Sequence, residues 1–242
     1  MGNEAKDSIL NGYRNKFDVM TERIVSKLKE RSRFPQNRSI YIPDAGPIKG
    51  REGASFFEYA VEGLEKYHAK LGRFDHEDQT PIMLDNKQEI ESVDFYTKVE
   101  QEMKQPFLNK VSLDIKVNSD ILDFYPKFAV KLGMAGEDKT TFGETAYCDA
   151  DIVEIVNERI NLGKFIAESK LKGDALMLWR ADEKTLLEKI RNPGREHEII
   201  ENVKKLSDRY QLDKDLAEEF FKWIIDETLK VELDYLSKIK KG

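Results

Sequence analysis

Two basic residues, Arg159 and Lys170, fall on the apolar side of one predicted helix. In the stretch 149–170, apolar residues recur at the spacing of a single helical face: Ile152, Ile155, Val156, Leu162 and Ile166. At about 100° per residue, both basic side chains project into the middle of that arc. Because eleven residues make about three turns, the two charged groups are expected about 16 Å apart along one line.

An anionic ligand would explain this placement. Burying two cations without anions is strongly unfavourable, and no acid falls within the same arc of the helix. The alternative is that both side chains extend to water or pair with acids from another helix. For a lone arginine on an apolar face, that alternative is the more common arrangement.

Three further predicted helices also bring polar groups to an apolar junction. Arg14 lies at the edge of the apolar arc of the first helix. Asn192 and Glu196 lie four residues apart at the start of another helix, and Thr228 and Glu232 have the same spacing in the last one. Side chains at this spacing share one helical face, so each pair is expected to act together.

Each of these residues also has a purely structural explanation. Asn192 before Pro193 is typical of a helix N-cap, and Glu196 would then interact with the helix dipole. Thr228 could bond back to a carbonyl one turn earlier, and Glu232 could be a solvated charge at the rim. Their combination favours a pocket with three cations, two acids and two neutral hydrogen-bonding groups, without a thiol or histidine as nucleophile or base. Such a site suits a dianionic organic substrate and a reaction driven by positioning and electrostatics.

The composition is that of a soluble globular protein. The chain has 242 residues, of which 40% are hydrophobic and 36% charged, and its net charge is −6. Basic and acidic residues are interspersed, so no basic stripe points to nucleic acid. There is no apolar run of about 18 residues, no signal or transit peptide pattern, and one cysteine without metal-ligand spacing around it. A cytoplasmic, metal-free protein without a membrane span is expected.

The hydrophobic pattern predicts an all-α protein, since no long stretch alternates with a period of two. We predict a single domain over residues 1–242. The last helix begins at Asp213 or Asp215. The helix that carries Arg159 ends at a turn over 172–174, and the helix over 119–132 is interrupted near Pro126. The predicted helices cover residues 7–33, 55–71, 93–103, 104–116, 119–132, 149–170, 182–191, 192–210 and from 213 or 215 to 238.

Six sequence blocks, in order along nearly the whole chain, carry a resemblance to a known family. They are ERSRFPQNRSIYIP (30–43), SFFEYAVEGLEKYHAKLGRF (55–74), FGETA (142–146), RINLGKFIAESK (159–170), NPGREHEII (192–200) and IIDETLKVELDYL (224–236). On these blocks the sequence resembles the chorismate mutases of the all-helical class, specifically their fungal- and plant-like branch. The resemblance implies a homodimer of helical subunits that converts chorismate to prephenate in phenylalanine and tyrosine biosynthesis. It also implies a rearrangement within one bound molecule, with no cofactor and no covalent intermediate.

The resemblance assigns roles to the polar residues described above. Arg14 and Arg159 match the arginines that hold the two substrate carboxylates. Lys170 and Glu232 match the two groups that hydrogen-bond the ether oxygen. Glu196, the fifth catalytic match, and the substrate-binding Asn192 correspond to the residues at the ring hydroxyl, and Thr228 matches a substrate-binding hydroxyl. Arg195 is a further substrate-binding candidate, at a position where the fungal branch often has an apolar residue and bacterial relatives have an arginine.

The same branch is commonly regulated by aromatic amino acids, and Arg73 and Gly143 match parts of that effector site. Gly72, Glu144 and Tyr147 differ from the fungal version, so no particular effector is predicted. The alternative function is a non-catalytic helical regulator or metabolite-binding protein that keeps the same fold. Such a protein would be expected to lose part of the pocket, whereas all the matching catalytic residues are present.

Overall fold

The structure is a computed structural model that describes residues 3–46, 48–75, 79–84, 107–180 and 182–241. Side chains at positions 3–11, 14, 75, 173–180 and 241 lie outside this description. The described residues form seven α-helices and no strand, which confirms the all-α prediction. The helices are α1 (Asn3–Arg31), α2 (Phe56–Lys70), α3 (Asn118–Ala129), α4 (Phe142–Arg180), α5 (Glu183–Ile190), α6 (Pro193–Tyr210) and α7 (Lys214–Lys241).

The helix starts follow capping chemistry that is visible in the sequence. Ser55 accepts a hydrogen bond from the backbone of Glu58, whose side chain reaches back to Ser55, so α2 begins with a capping box. Asp182 caps α5, and Asn192 caps α6 with Pro193 in its first turn. These caps fix the junctions at which the pocket residues of α5 and α6 are placed.

Several predicted boundaries were wrong for identifiable reasons. The turn predicted at 172–174 is absent, because α4 continues through Gly173 to Arg180; one glycine costs a helix only about 1 kcal/mol. Pro126 does not interrupt α3, whose last turn is held by the buried side chains of Tyr125 and Phe128. α1 begins at Asn3 rather than at residue 7, and α4 begins at Phe142 rather than at residue 149. The helix predicted over 104–116 is only a short 3-10 helix, Lys110–Asp114, in its described part. The helix predicted over 93–103 lies outside the described residues.

Helix α4 is the centre of the fold and packs against α1, α2, α3 and α7. All residues from 151 to 165 are buried, so this helix has no solvent-exposed face there, although its sequence is amphipathic. Several of its buried charged groups are matched by partners from other elements. Asp149 binds Arg31 at 2.9 Å, and Glu168 accepts a hydrogen bond from Tyr235 at 2.7 Å. Burial on all sides is therefore compatible with a charged sequence because most of the charges are paired.

Helix α7 approaches α4 closely at Gly163. A methyl group at this position would lie 3.0 Å from the carbonyl oxygen of Thr228 and 3.1 Å from its Cγ2 atom. The absence of a side chain therefore lets the two backbones meet beside the residues that line the pocket. No helix in the described part of the chain is long and apolar enough to cross a membrane.

Candidate active site

A cavity of about 270 Å³ lies between α1, α4, the α5–α6 junction and α7. Seven of the residues predicted for the substrate site line it: Arg159, Lys170, Asn192, Arg195, Glu196, Thr228 and Glu232. The other lining residues are Phe17, Ile166, Lys189, Ile190, Arg191, Ile199, Ile225 and Leu229. The side chain of Arg14 lies outside the described residues; its backbone belongs to α1, one turn before Phe17.

Arg159 is a buried cation without a described anionic partner. Its side chain is 1% exposed, and its guanidinium carbon lies 4.9 Å from the ring centre of Phe17 and 5.6 Å from that of Phe221. Among the described residues, its Nε atom has no hydrogen-bond partner. Burial lowers the pKa of Arg159 to about 10, and the charge of Asp18 acts in the opposite direction. A bound anion would supply the missing counter-charge.

Lys170 does have an acidic partner, and it comes from another helix. Its Nζ atom donates to Oε2 of Glu232 on α7 at 2.6 Å and to the carbonyl oxygen of Ile190 at 2.8 Å. Pairing with an acid from another helix, the alternative considered for both residues, thus holds for Lys170, whereas Arg159 has no such partner among the described side chains. An ammonium has three N–H groups, so these two contacts fix the direction of the third.

Glu232 is 5% exposed on the opposite wall of the cavity. Burial raises the pKa of its carboxyl group, while the nearby Lys170 ammonium opposes that rise. The carboxyl is thereby shifted towards the protonated form, in which one oxygen can donate a hydrogen bond. Lys170 and Glu232 then form two neighbouring donors on facing helices.

The start of α6 supplies the polar rim of the cavity. Asn192 accepts a hydrogen bond from the backbone N–H of Arg195 at 3.0 Å, so it is a helix N-cap, as its alternative structural explanation held. Arg191 binds Glu196 through its Nε and Nη2 atoms, with distances of 3.0 to 3.2 Å to both carboxylate oxygens. Arg191 was not among the predicted residues, because a spacing of five residues across a helix junction matches no helical face.

Two further predicted residues make structural contacts at the cavity. The hydroxyl of Thr228 donates to the carbonyl oxygen of Ile224 at 2.7 Å, as its structural explanation predicted. Its oxygen keeps lone pairs that can accept a hydrogen bond from a ligand. Arg195 pairs with Asp18 at 2.8 Å and with Glu198 at 3.1 Å, so its charge is matched at the surface.

The predicted effector residues lie away from this cavity and from each other. Arg73 contacts Glu154 at 3.0 Å and Glu158 at 3.2 Å on α4. Gly143 is the second residue of that helix, about 16 Å along its axis from Glu154. One chain therefore does not bring the two residues together. In the described part of the chain, no cluster of three or more histidine, cysteine or acidic residues could hold a metal ion.

Comparison with known proteins agrees with this geometry. Residues 142–233 match the family model of chorismate mutase type II, a region that contains all seven predicted residues lining the cavity. The chain is 33% identical over 170 residues to chorismate mutase 1, chloroplastic, of Arabidopsis thaliana; this alignment covers 70% of the chain and only 47% of that protein. It is 26% identical over 253 residues to the chorismate mutase of Saccharomyces cerevisiae, with 94% of the chain and 93% of that protein covered.

A solved structure extends the match to nearly the whole fold. The crystal structure of the chorismate mutase from Candida albicans in complex with L-Trp matches with a TM-score of 0.83 at 27% identity. The match covers 98% of this chain and 94% of the Candida chain. The sequence blocks, the helical architecture and these similarities agree, and the chain belongs to the chorismate mutase family, on the branch that contains the fungal and plant enzymes.

Proposed function

We propose that this chorismate mutase rearranges chorismate to prephenate in the cavity described above. The observation that carries the assignment of the site is the buried guanidinium of Arg159, which has no described anionic partner, beside the Lys170–Glu232 pair. A substrate with two carboxylates and an ether oxygen matches this distribution of charge. The reaction occurs within one bound molecule, so the protein has to position the substrate and stabilise the transition state.

Lys170 and Glu232 are the proposed transition-state stabilisers. As the C–O bond breaks, negative charge grows on the ether oxygen, and donors aimed at it bind more strongly than in the ground state. Lys170 contributes the N–H that its contacts with Glu232 and Ile190 do not use. Glu232 contributes a second donor when it is protonated, and burial favours that form.

The arginines are the proposed carboxylate ligands. Arg159 presents its planar guanidinium to the cavity between two aromatic rings, which restrict its orientation. Arg14 is proposed for the second carboxylate on the basis of the family resemblance. Two such forks would hold the side chain of the substrate over its ring in the compact conformer that reacts.

The start of α6 and Thr228 are proposed to bind the remaining polar groups of the substrate. The Glu196 carboxylate lines the cavity and can accept a hydrogen bond from the ring hydroxyl. The side-chain amide of Asn192 and the hydroxyl of Thr228 are further ligands. Arg195 is proposed for long-range attraction of the dianion, since its guanidinium is paired with Asp18 and Glu198.

Loss of chorismate absorbance on mixing with the purified protein tests this function. We expect Arg159→Ala to lower kcat/KM by at least about a hundredfold, because a substrate carboxylate loses its buried partner. Arg209→Ala is the matched control, because Arg209 is an exposed arginine of α6 that pairs with Glu22 outside the cavity. A wild-type protein without activity would favour the alternative of a metabolite-binding protein with the same fold.

We also propose that one domain spans residues 1–242 and assembles as a homodimer. Large side chains remain exposed on two helices that pack together: Tyr59 and Tyr67 on α2, Leu71 directly after it, and Tyr147 on α4. Large apolar side chains that would be covered by a second subunit support this proposal. Sedimentation equilibrium is expected to give the mass of two chains, and Tyr67→Glu is expected to favour monomers.

Regulation by an aromatic amino acid is proposed without a choice of effector. The Candida relative was crystallised with L-Trp, and Arg73 and Gly143 match parts of the family effector site. Two such residues, far apart in one chain, could approach each other across a dimer interface. Adding phenylalanine, tyrosine or tryptophan separately to the assay identifies the effector, and Arg73→Ala is expected to abolish its action. A cytoplasmic location is proposed as well, and cell fractionation tests it.

A further inference from the structure

The α5–α6 junction contributes residues 189–192 to the cavity, and the last three of them make polar contacts there. The carbonyl oxygen of Ile190 accepts a hydrogen bond from Lys170 at 2.8 Å, Arg191 binds Glu196, and Asn192 caps α6. The backbone at Arg191 is extended, with φ −66° and ψ 137°, so the helix ends there and the chain turns into α6. One short connection therefore contacts both the cation of α4 and an acid of α6.

The contact between Arg191 and Glu196 fixes the orientation of the Glu196 carboxylate plane. The Nε atom of Arg191 lies 3.1 Å from Oε1 and 3.2 Å from Oε2 of Glu196, and its Nη2 atom lies 3.0 Å from Oε2. Both carboxylate oxygens are held, which restricts rotation of the group about its terminal bond. The Arg191 side chain is 51% exposed, and a pair this exposed adds little to folding stability. Its geometry nevertheless determines how Glu196 faces the cavity.

Glu196 is the cavity carboxylate placed to accept a hydrogen bond from a neutral hydroxyl. Of the two carboxyl groups lining the described cavity, Glu232 is paired with Lys170 on the opposite side. An ionised carboxylate accepts such a bond well only if it is held in the direction of the donor. We infer that Arg191 is a positioning residue, which orients Glu196 towards the ring hydroxyl of the substrate. This inference rests on the proposed function of the cavity.

The kinetic signature follows from where the hydroxyl lies. It is remote from the breaking bond, so its contact stabilises the ground state and the transition state equally, and loss of such a contact raises KM with little change in kcat. Arg191→Gln is expected to raise KM for chorismate about tenfold, with kcat within about twofold of wild type. Arg191→Lys keeps the charge without the planar fork and should raise KM by at least about threefold. Arg209→Gln, at an exposed position of α6 outside the cavity, should leave KM unchanged.

A double-mutant cycle tests whether Arg191 acts through its partner. In a Glu196→Ala background there is no carboxylate to orient, so adding Arg191→Gln should change KM by less than about twofold. Far-ultraviolet circular dichroism and thermal melts verify that every variant is folded.

Three results would overturn the inference while wild-type activity stands. These are a wild-type KM in Arg191→Gln, a wild-type KM in Arg191→Lys, or an undiminished effect of Arg191→Gln in the Glu196→Ala background. The second result would mean that charge alone matters, and the third that Arg191 contacts the substrate directly. An inactive wild-type protein would instead refute the proposed function, so the two failures are distinguishable.

Discussion

Replacing Arg159 by methionine should stabilise the protein while removing its activity. Burial lowers the pKa of this arginine to about 10, which corresponds to about 3 kcal/mol of unfavourable free energy for the charged form in the folded state. At pH 7, below the pKa values of both states, the protein folds with the charge and bears that cost in full. The cost would diminish only as the pH rises through 10.

Methionine fills a similar space without a charge. Its introduction also removes the contacts of the buried guanidinium with the Phe17 and Phe221 rings, which contribute about 2 kcal/mol when the cation is desolvated. The net gain is then about 1 kcal/mol in the free energy of unfolding, or a rise in Tm of about 2–4 °C for a chain of this size. Chemical denaturation and calorimetry of Arg159→Met measure this difference directly.

Arg31→Met is a matched control for which the opposite change in stability is expected. Arg31 is also fully buried, but it contacts Asp149 at 2.9 Å and donates to the carbonyl oxygens of Pro35 and Gln36. Arg31→Met leaves the Asp149 carboxylate buried without its counter-charge, which should destabilise the protein by about 3–5 kcal/mol. If Arg159→Met is also destabilised, then the Arg159 guanidinium is already satisfied in the folded protein, and the reasoning about a missing anion is wrong.

Further perturbations test other contacts. Activity should fall as the pH rises above the acidic range, because an ionised Glu232 carboxylate cannot donate a hydrogen bond. Glu232→Gln should remove most of that fall. A flat wild-type profile of activity between about pH 5 and 8 would contradict this prediction. Gly163→Ala should lower kcat/KM about tenfold and destabilise the fold by about 1–2 kcal/mol in urea titrations, because its methyl group would press on Thr228. Gly63→Ala, where a methyl group meets nothing within 4 Å, should instead stabilise the protein by up to about 1 kcal/mol. Glu65 accepts hydrogen bonds from three consecutive backbone N–H groups at 82–84. Glu65→Ala should therefore lower the free energy of unfolding by about 3 kcal/mol in the same titrations. An unchanged urea midpoint would show that those N–H groups find other partners.

Most of the polar residues that line the cavity could be predicted from the sequence, because local rules of helix formation determine their placement. Helical periodicity placed Arg159 and Lys170 on one side of α4, and capping rules placed Asn192 at the start of α6. Both are properties of short segments, so they could be predicted without knowledge of the tertiary contacts. The chemical roles of these residues came from the family resemblance.

Other features depend on contacts between distant segments and could not be predicted from local patterns. The acid that pairs with Lys170 lies 62 positions further along the chain, on α7, and only the family resemblance placed the two residues together. The contact between Arg191 and Glu196 depends on the angle between α5 and α6, which the hydrophobic periodicity of the sequence does not encode. The end of α4 was misplaced because tertiary packing outweighed the weak preference of Gly173 against a helix.

The uninterrupted helix α4 limits how the length of the chain can vary. A deletion of one residue between Arg159 and Lys170 would turn the ammonium by about 100° around the axis and draw it back by about 1.5 Å. The lysine would then face a different neighbour, and Glu232 would lose its partner. Variation in length among functional descendants of this sequence should therefore concentrate in the connections between helices, whereas the interval between these two basic residues stays constant.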